Sequence, residues 1–480
     1  MSTLNRDQRI VFNKVVEAIR NPSGTPIRMF LSGEGGVGKS YLIRLLAQYI
    51  QGFYSQDALL LCAPSGVAAF NIAGSTCHRA FSLAVEHGSV PAYNRLGAQT
   101  LARCRQTYKN LKFVILNECS MLNYETLRMI SLRLGEIFNN DEPFGGVHVI
   151  LGGDLLQLAP PMGHWIFEQP SNYQAEVDLW GLFEMSELTI NVRQGQDPLG
   201  GICSRLRVGE LTQEDITTLN SRLLDPKNPN IDTAEFENCT WVFNTKKKVK
   251  LYNQRKSIEL RQRLAAIGQR MYVINSRDYI AGTRNKCPRN LLNPDDSKTG
   301  GLVSSLTLGV GSRVMLRHNI DVGLGLVNGA CGEVVKLEWS LFRRVQQTEG
   351  DMPTKVFVKF DHEIPGYENN TYPIRPMSIS FYGKRNVYVS REQLPLILSW
   401  AINTHKMQGV TRDMIVIDLA NKLFAKGIAY VALSRCTSLQ KLALSHIDVS
   451  QLLSSPGFTP FDPRAFAEMQ RLRTEAQNDL

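Results

Sequence analysis

No run of roughly 18 uninterrupted apolar residues, the length a helical membrane span requires, occurs anywhere in this chain of 480 residues. The opening stretch MSTLNRDQRIVF also lacks the apolar core of a secretory signal. Paired cysteine spacings are missing too. The nine cysteines are scattered singly, so neither a zinc site nor a dithiol redox motif is encoded. Together these absences predict a protein of a reducing, internal compartment, without membrane attachment, whose sequons at Asn238 and Asn369 stay unmodified. Acidic residues are in the minority: 54 Lys plus Arg stand against 44 Asp plus Glu, and the net charge of +10 favours a polyanionic partner such as nucleic acid.

What is there is ordinary globular patterning, in a chain long enough for several domains. Ile10, Val11, Val15 and Ile19 share a helical face that ends at Asn21-Pro22-Ser23-Gly24. A short apolar strand, a glycine-rich turn and a helix with Leu42, Leu45, Leu46 and Tyr49 on its inner side follow. ALLLC (58–62), FVIL (113–116) and VHVIL (147–151) read as buried strands of a parallel sheet. The expected organisation is an α/β domain over 1–186 with a small insertion near 82–110, and a second α/β domain over 187–300 and 391–455. Short β-type runs between turn residues predict an all-β insertion at 301–390, and 456–480 forms a tail.

The glycine-rich turn GEGGVGKS (33–40) fits the phosphate-binding pattern between strand and helix. Gly33, Gly35, Gly36 and Gly38, with Val37 among them, let backbone N–H groups close around phosphates; Lys39 reaches the terminal phosphates and Ser40 offers a hydroxyl to Mg²⁺. At the end of the next strand, FVILNECSML presents Glu118 as the base that positions an attacking water. The preceding Asn117 stands where an aspartate would give the metal shell a full charge; an amide only accepts a hydrogen bond from a metal-bound water. A tolerated natural variant, a degenerate copy and a deliberate substitution all account for it. Asp154 and Gln157 in GGDLLQLAPP are placed to face the nucleotide from a strand's C-terminal end. TKKKVK (245–250) reads equally as a phosphate track or a solvated helix face.

The ordered set of LNRDQRIVF, GEGGVGKS, APSGVAAFNIAGSTCHRAF, NECSML, GGDLLQLAPP, LTINVRQ, VGSRVMLRHNID, LVNGACGEV, LPLILSWAINTHKMQGVT and YVALSRCTSL resembles the Pif-type DNA helicases of superfamily one through most of the chain. The resemblance implies two RecA-like P-loop domains with an SH3-like insertion in the second. It implies an ATP- and Mg²⁺-dependent motor that moves 5′-to-3′ on single-stranded DNA and opens duplex or forked DNA as a monomer, with family roles in repair, recombination, replication and telomere maintenance. By the same likeness Gln8 reads adenine, and Arg193 and Arg435 are arginine fingers. Pro64, Ser65, Gly66, Thr76, His78 and Phe81 form a first DNA grip; Thr404, His405 and Lys406 form a second, with Gln408 linking it to the nucleotide. The family setting implied is nuclear, with mitochondrial and viral members also in view. Two other readings stay open at this level: an ATP-binding single-stranded DNA clamp whose turnover is impaired by Asn117, and a remodeler of RNA or RNA–DNA hybrids.

Overall fold

Asn5 starts the first helix: its side chain accepts the Gln8 backbone N–H at 3.0 Å, and the Gln8 side chain accepts the Asn5 N–H at 3.3 Å, a reciprocal capping box. The computed structural model describes residues 4–21, 24–84, 92–293, 299–340, 351–420 and 425–478. Helix α1 (Arg6–Arg20) buries Val11, Phe12, Val15, Val16 and Ile19. Ile10, expected on that face, is 49% exposed, because the buried stripe runs through the 12 and 16 positions and leaves residue 10 to one side. In α2 (Lys39–Phe53) the buried face is likewise rotated, to Leu42, Ile43, Leu46, Ala47 and Ile50, with Leu45 and Tyr49 half-buried at its margin.

The chain divides into two compact units, one made of 1–244 and 404–480, the other of 245–403. In the first, β1 (Arg28–Gly33), β2 (Leu59–Ala63), β3 (Ser75–Thr76), β4 (Phe113–Asn117), β5 (His148–Gly153) and β6 (Glu184–Leu188) make a parallel sheet in the order β3-β2-β4-β5-β1-β6. Helices cover both faces, so the central strands β4 and β5 are buried almost throughout rather than alternating. Ser32 lies beside Gly153 and Asn117 beside Gly152 in register. The C-terminal ends of β1, β4 and β5 are therefore adjacent, where open α/β sheets gather their chemistry.

A second parallel set in this unit joins Thr240–Phe243, Ile415–Leu419 and Leu442–Ile447, in that order, with the helix Ile428–Leu433 between the last two in sequence. The polar tail forms the helix Pro463–Asn478, and it is not a loose appendage. Ala465, Met469 and Leu472 enter the core beside Phe30 and Trp180, Trp180 Nε1 donates to Glu468 at 2.6 Å, and Arg473 pairs with Glu187 of the edge strand β6 at 2.7 Å. The insertion expected at 82–110 lies partly outside the described residues; within them it holds the helix Ala98–Thr107.

The second unit begins with the helix Lys246–Ala266, capped by the Thr245 side chain, so the TKKKVK run occupies a helix start. Three antiparallel groupings follow, of five, three and two strands. They extend past the expected 301–390 limits. Tyr272–Asn275 pairs with Ser305–Leu308, Arg277–Ile280 pairs with Tyr388–Gln393, and Leu396–Leu398 pairs with Arg313–Leu316. Four- and three-residue strands supply too little alternation to be read from sequence, and only their partners define them.

Candidate active site

Strand β1 ends at Gly33 and α2 starts at Lys39, so residues 34–38 form the turn between them. Gly36 (φ 103°) and Gly38 (φ 85°) hold left-handed conformations. A Cβ at Gly36 would stand 2.7 Å from Asn191 Oδ1, and one at Gly38 2.7 Å from Gln8 Nε2, so a side chain would displace those amides, and it is φ that calls for glycine. Gln8 is buried and donates to the Val37 carbonyl at 3.2 Å. It thus braces the phosphate loop from the first helix.

Lys39 is buried, and its ammonium donates to the carbonyls of Gly33 and Glu34. Burial lowers its pKa, against the opposing charges of Asp154 and Glu118. Ser40 is half-buried in the first turn of α2. Asn117, 2% exposed, closes β4, and Glu118 follows with φ 58°, ψ 45°, a left-handed conformation that costs a non-glycine residue about 1 kcal/mol or more.

Two arginines reach this loop. Arg193 donates through Nη1 to the Ser434 carbonyl at 3.0 Å; burial, and then the neighbouring Arg435 charge, lower its pKa. Arg435, 3% exposed, is held by Nε on the Val431 carbonyl at 3.1 Å, and its Nη2 would lie 3.5 Å from a Cβ built on Gly35. The segment carrying Arg193 is fastened to the one carrying Arg435: Gln194 donates to the Cys436 carbonyl at 3.0 Å, and Asp197 accepts the Leu439 N–H at 3.0 Å.

Three buried atoms on residues that the sequence nominates for the site have no hydrogen-bond partner among the described residues: Glu118 Oε2, Gln157 Oε1 and Arg435 Nη2. A buried polar group left so costs about 1–3 kcal/mol, so the set is informative. Glu118 Oε2 and Gln157 Oε1 are acceptors, and Arg435 Nη2 is a guanidinium donor beside Gly35. A nucleotide polyphosphate with its water would supply partners of both kinds, and the Ser40 hydroxyl, the Asn117 amide and the Glu118 carboxylate are oxygen donors that would suit a magnesium ion.

Asp154 departs from expectation. Its fully buried carboxylate takes the Arg207 guanidinium at 2.8 Å and the Tyr430 hydroxyl at 2.8 Å, so it serves a protein-internal network rather than the nucleotide. Burial alone would raise its pKa, but Arg207, Lys39 and Tyr430 outweigh that and hold it low. The Tyr430 oxygen in turn accepts the Gly35 N–H at 2.8 Å. Sequence reasoning missed Tyr430 and Arg207. Tyr430 lies inside the YVALSR stretch, but nothing in its spacing announces a contact with the phosphate loop.

The residues expected to grip DNA divide. Ser65 caps helix α3 (Gly66–Asn71) by accepting the Ala68 N–H at 3.3 Å; Pro64, Thr76 and His78 are half-buried nearby in sequence, and Gly66 is buried in the helix start. Burial lowers the His78 pKa, which keeps the ring neutral. Phe81 is a correction: it is 0% exposed within the core of the first sheet, because the short helix Cys77–Ala80 turns the ring inward. Thr404, 3% exposed, is another, its hydroxyl donating to the Phe243 carbonyl at 3.5 Å. His405 is exposed and Lys406 half-buried. Gln408 donates to Ser120 Oγ at 3.3 Å and Asn71 to the Gly409 carbonyl at 2.7 Å, so the THKMQG segment is tied both to α3 and to the strand end that carries Glu118.

The family model described as PIF1-like helicase matches residues 3–200, and the model of the DNA helicase Pif1 2B domain matches 298–337. The chain is similar to the ATP-dependent DNA helicase PIF1 of Xenopus laevis, 28% identical over 99% of this chain and 66% of the relative. It is also similar to that of Danio rerio, 30% identical over 93% and 61%. It therefore spans somewhat less than two thirds of the length of these curated relatives. Among solved structures, Pif1 helicase from Candida albicans superposes with TM-score 0.70 at 24% identity, covering 99% of this chain and 100% of that one. Bacteroides Pif1 bound to ssDNA gives 0.71 at 24%, covering 99% and 98%. At this identity the likeness establishes the fold: α/β, with two RecA-like domains.

Proposed function

We propose, from the premise that this chain belongs to the PIF1-like helicase family, that it is an ATP-dependent DNA helicase moving 5′-to-3′ on single-stranded DNA and separating duplexes. The observation that carries the reading is the gathering of Lys39, Glu118 and Arg435 about one loop, with Glu118 Oε2 and Arg435 Nη2 buried and satisfied by no described residue. Lys39 and the loop amides hold phosphates, Glu118 orients the attacking water with Gln157, and Arg193 and Arg435 neutralise charge on the transferring phosphoryl. Magnesium bound through Ser40 and the shell near Asn117 supplies further charge neutralisation. The relatives are named DNA helicases, which favours DNA over RNA or a hybrid. Single-stranded and forked DNA as partners, a monomeric motor and a nuclear site of action complete the proposal.

Steady-state Mg-ATP hydrolysis with and without single-stranded DNA, on this chain and its Asn117→Asp variant, tests it. Strong stimulation by DNA in both is the expected result. Stimulation only in the variant identifies an ATP-binding clamp, and stimulation in neither overturns the motor.

A further inference from the structure

The three-stranded sheet of the second unit ends in a hairpin that presents two tyrosines to solvent. Met377–Tyr382 and Tyr388–Gln393 pair antiparallel, with Tyr382 directly opposite Tyr388. Their neighbours Phe381 and Val389 alternate inward, onto a small core with Cys287, Ile280, Leu291, Leu292 and Val387. The tyrosines therefore face out, 69% and 49% exposed, with ring centroids 5.0 Å apart and planes at 48°. Exposed aromatic surface of this kind is unfavourable in water unless something covers it.

The tip is built to hold a shape. Gly383 donates to the Val387 carbonyl at 2.8 Å, and a Cβ there would stand 2.6 Å from the Leu291 carbonyl, so the turn is seated on its neighbour. Arg385 adopts φ 56°. Beneath, the buried Arg391 pairs with Asp278 at 2.6 Å. The register sets Val389 opposite Ile280, so the turn after Arg277–Ile280 leaves the sheet at the same end. That end carries Lys384 and Arg385 on one turn and Arg284 and Lys286 on the other, all exposed. No Asp or Glu occurs in 279–294 or in 379–391; Asp295 and Asp296 follow in the chain, outside the described residues. The sheet's own carboxylates, Asp278 and Glu392, are engaged by Arg391 and Arg277.

We propose that this sheet end is a nucleic-acid contact additional to the grip residues of the first unit, stacking unpaired bases on Tyr382 and Tyr388 while Lys384, Arg385, Arg284 and Lys286 hold the adjoining phosphates. Single-stranded DNA is the occupant. Two open π-faces at an angle receive splayed bases, which a duplex keeps stacked internally, and a cationic rim with no Asp or Glu among the described residues of its two turns matches a phosphate backbone. The proposal rests on the DNA-motor reading for the identity of the polymer and deepens it.

The experiment uses the full chain and a fluorescently labelled oligothymidylate, with equilibrium binding by anisotropy and DNA-stimulated ATP turnover measured in parallel. Tyr382→Ala/Tyr388→Ala is expected to weaken binding by about 10-fold or more, since each base–aromatic stack is worth roughly 1–3 kcal/mol. ATP turnover at saturating DNA stays at the wild-type level. Tyr382→Phe/Tyr388→Phe retains binding, which separates stacking from folding. Lys384→Ala/Arg385→Ala is expected to lower the slope of log affinity against log salt by roughly 1.4, at about 0.7 for each phosphate no longer neutralised. Unchanged affinity and slope in the alanine variants, or a loss confined to duplex DNA, overturns the proposed grip and leaves the motor reading intact. Loss of binding in the variants of a chain whose turnover DNA does not stimulate supports the grip and removes the motor. No DNA binding by the wild type removes both.

Discussion

Lys39 and Arg435 both reach the phosphate loop and are expected to separate binding from turnover. Lys39→Ala removes the ammonium held between the Gly33 and Glu34 carbonyls, and ATP hydrolysis is expected to vanish. Arg435→Ala leaves that cradle whole while deleting the guanidinium whose Nη2 faces the loop; nucleotide binding by fluorescence titration stays near wild type and strand separation stops. Normal unwinding by the second variant takes Arg435 out of the site. Asn117 makes a different demand. Restoring the carboxylate in Asn117→Asp should lower the magnesium concentration at half-maximal turnover, because a charged acceptor strengthens the metal's water shell. A magnesium titration of both chains reads this directly. Much at this scale was legible beforehand, since phosphate chemistry demands particular residues at close spacing and GEGGVGKS supplies them within one turn. Tyr430 and Arg207 were not legible: they join Asp154 from 276 and 53 residues away, and no local pattern encodes such a meeting.

At the scale of elements, sequence periodicity places β1, β2, β4 and β5 of the first sheet but not the two-residue β3 or the edge strand β6, and the family resemblance sets Phe81 on a DNA-facing surface from which it is buried. Phe81 follows the four-residue helix Cys77–Ala80, too short to impose a readable stripe, and its ring goes to the core. Phe81→Ala is therefore expected to cost about 3–5 kcal/mol in stability by chemical denaturation. Single-stranded DNA affinity per folded molecule stays unchanged, and a selective loss of affinity without loss of stability restores Phe81 to the grip. The tail helix teaches the converse. Its sequence is polar enough to pass for a solvated appendage, yet Ala465, Met469 and Leu472 recur at intervals of four and three and bury one narrow face. The sequence marks the antiparallel unit as β-rich, but the limits 301–390 leave out strands such as Tyr272–Asn275 and Leu396–Leu398, which acquire meaning only from partners distant in sequence.

For the whole molecule, acid stability carries a signature that belongs to neither site. His148 is stacked on Phe113 with centroids 4.3 Å apart, and its Nδ1 accepts the Ile27 N–H at 3.0 Å. Burial, then the Arg28 charge, pushes its pKa from 6.5 down to about 4. The unfolded chain therefore takes up this proton first. The stabilisation is complete above pH 6.5, declines as pH falls toward 4 and is level below that. Urea denaturation of wild type and His148→Asn across this window should differ in slope by close to one proton, and parallel curves remove His148 from the balance. No helix among the described residues is long and apolar enough to cross a membrane.

The left-handed backbone at Glu118 has a consequence for how the molecule could change over time. Glycine would sit at φ 58° without strain, so Glu118→Gly is expected to leave the protein as stable as wild type or more so by about 1 kcal/mol, while turnover collapses for want of the carboxylate. A thermal melt and an ATPase assay on that one variant would pull in opposite directions. Greater robustness and turnover would then exclude one another at this position, a conflict carried by a single backbone angle.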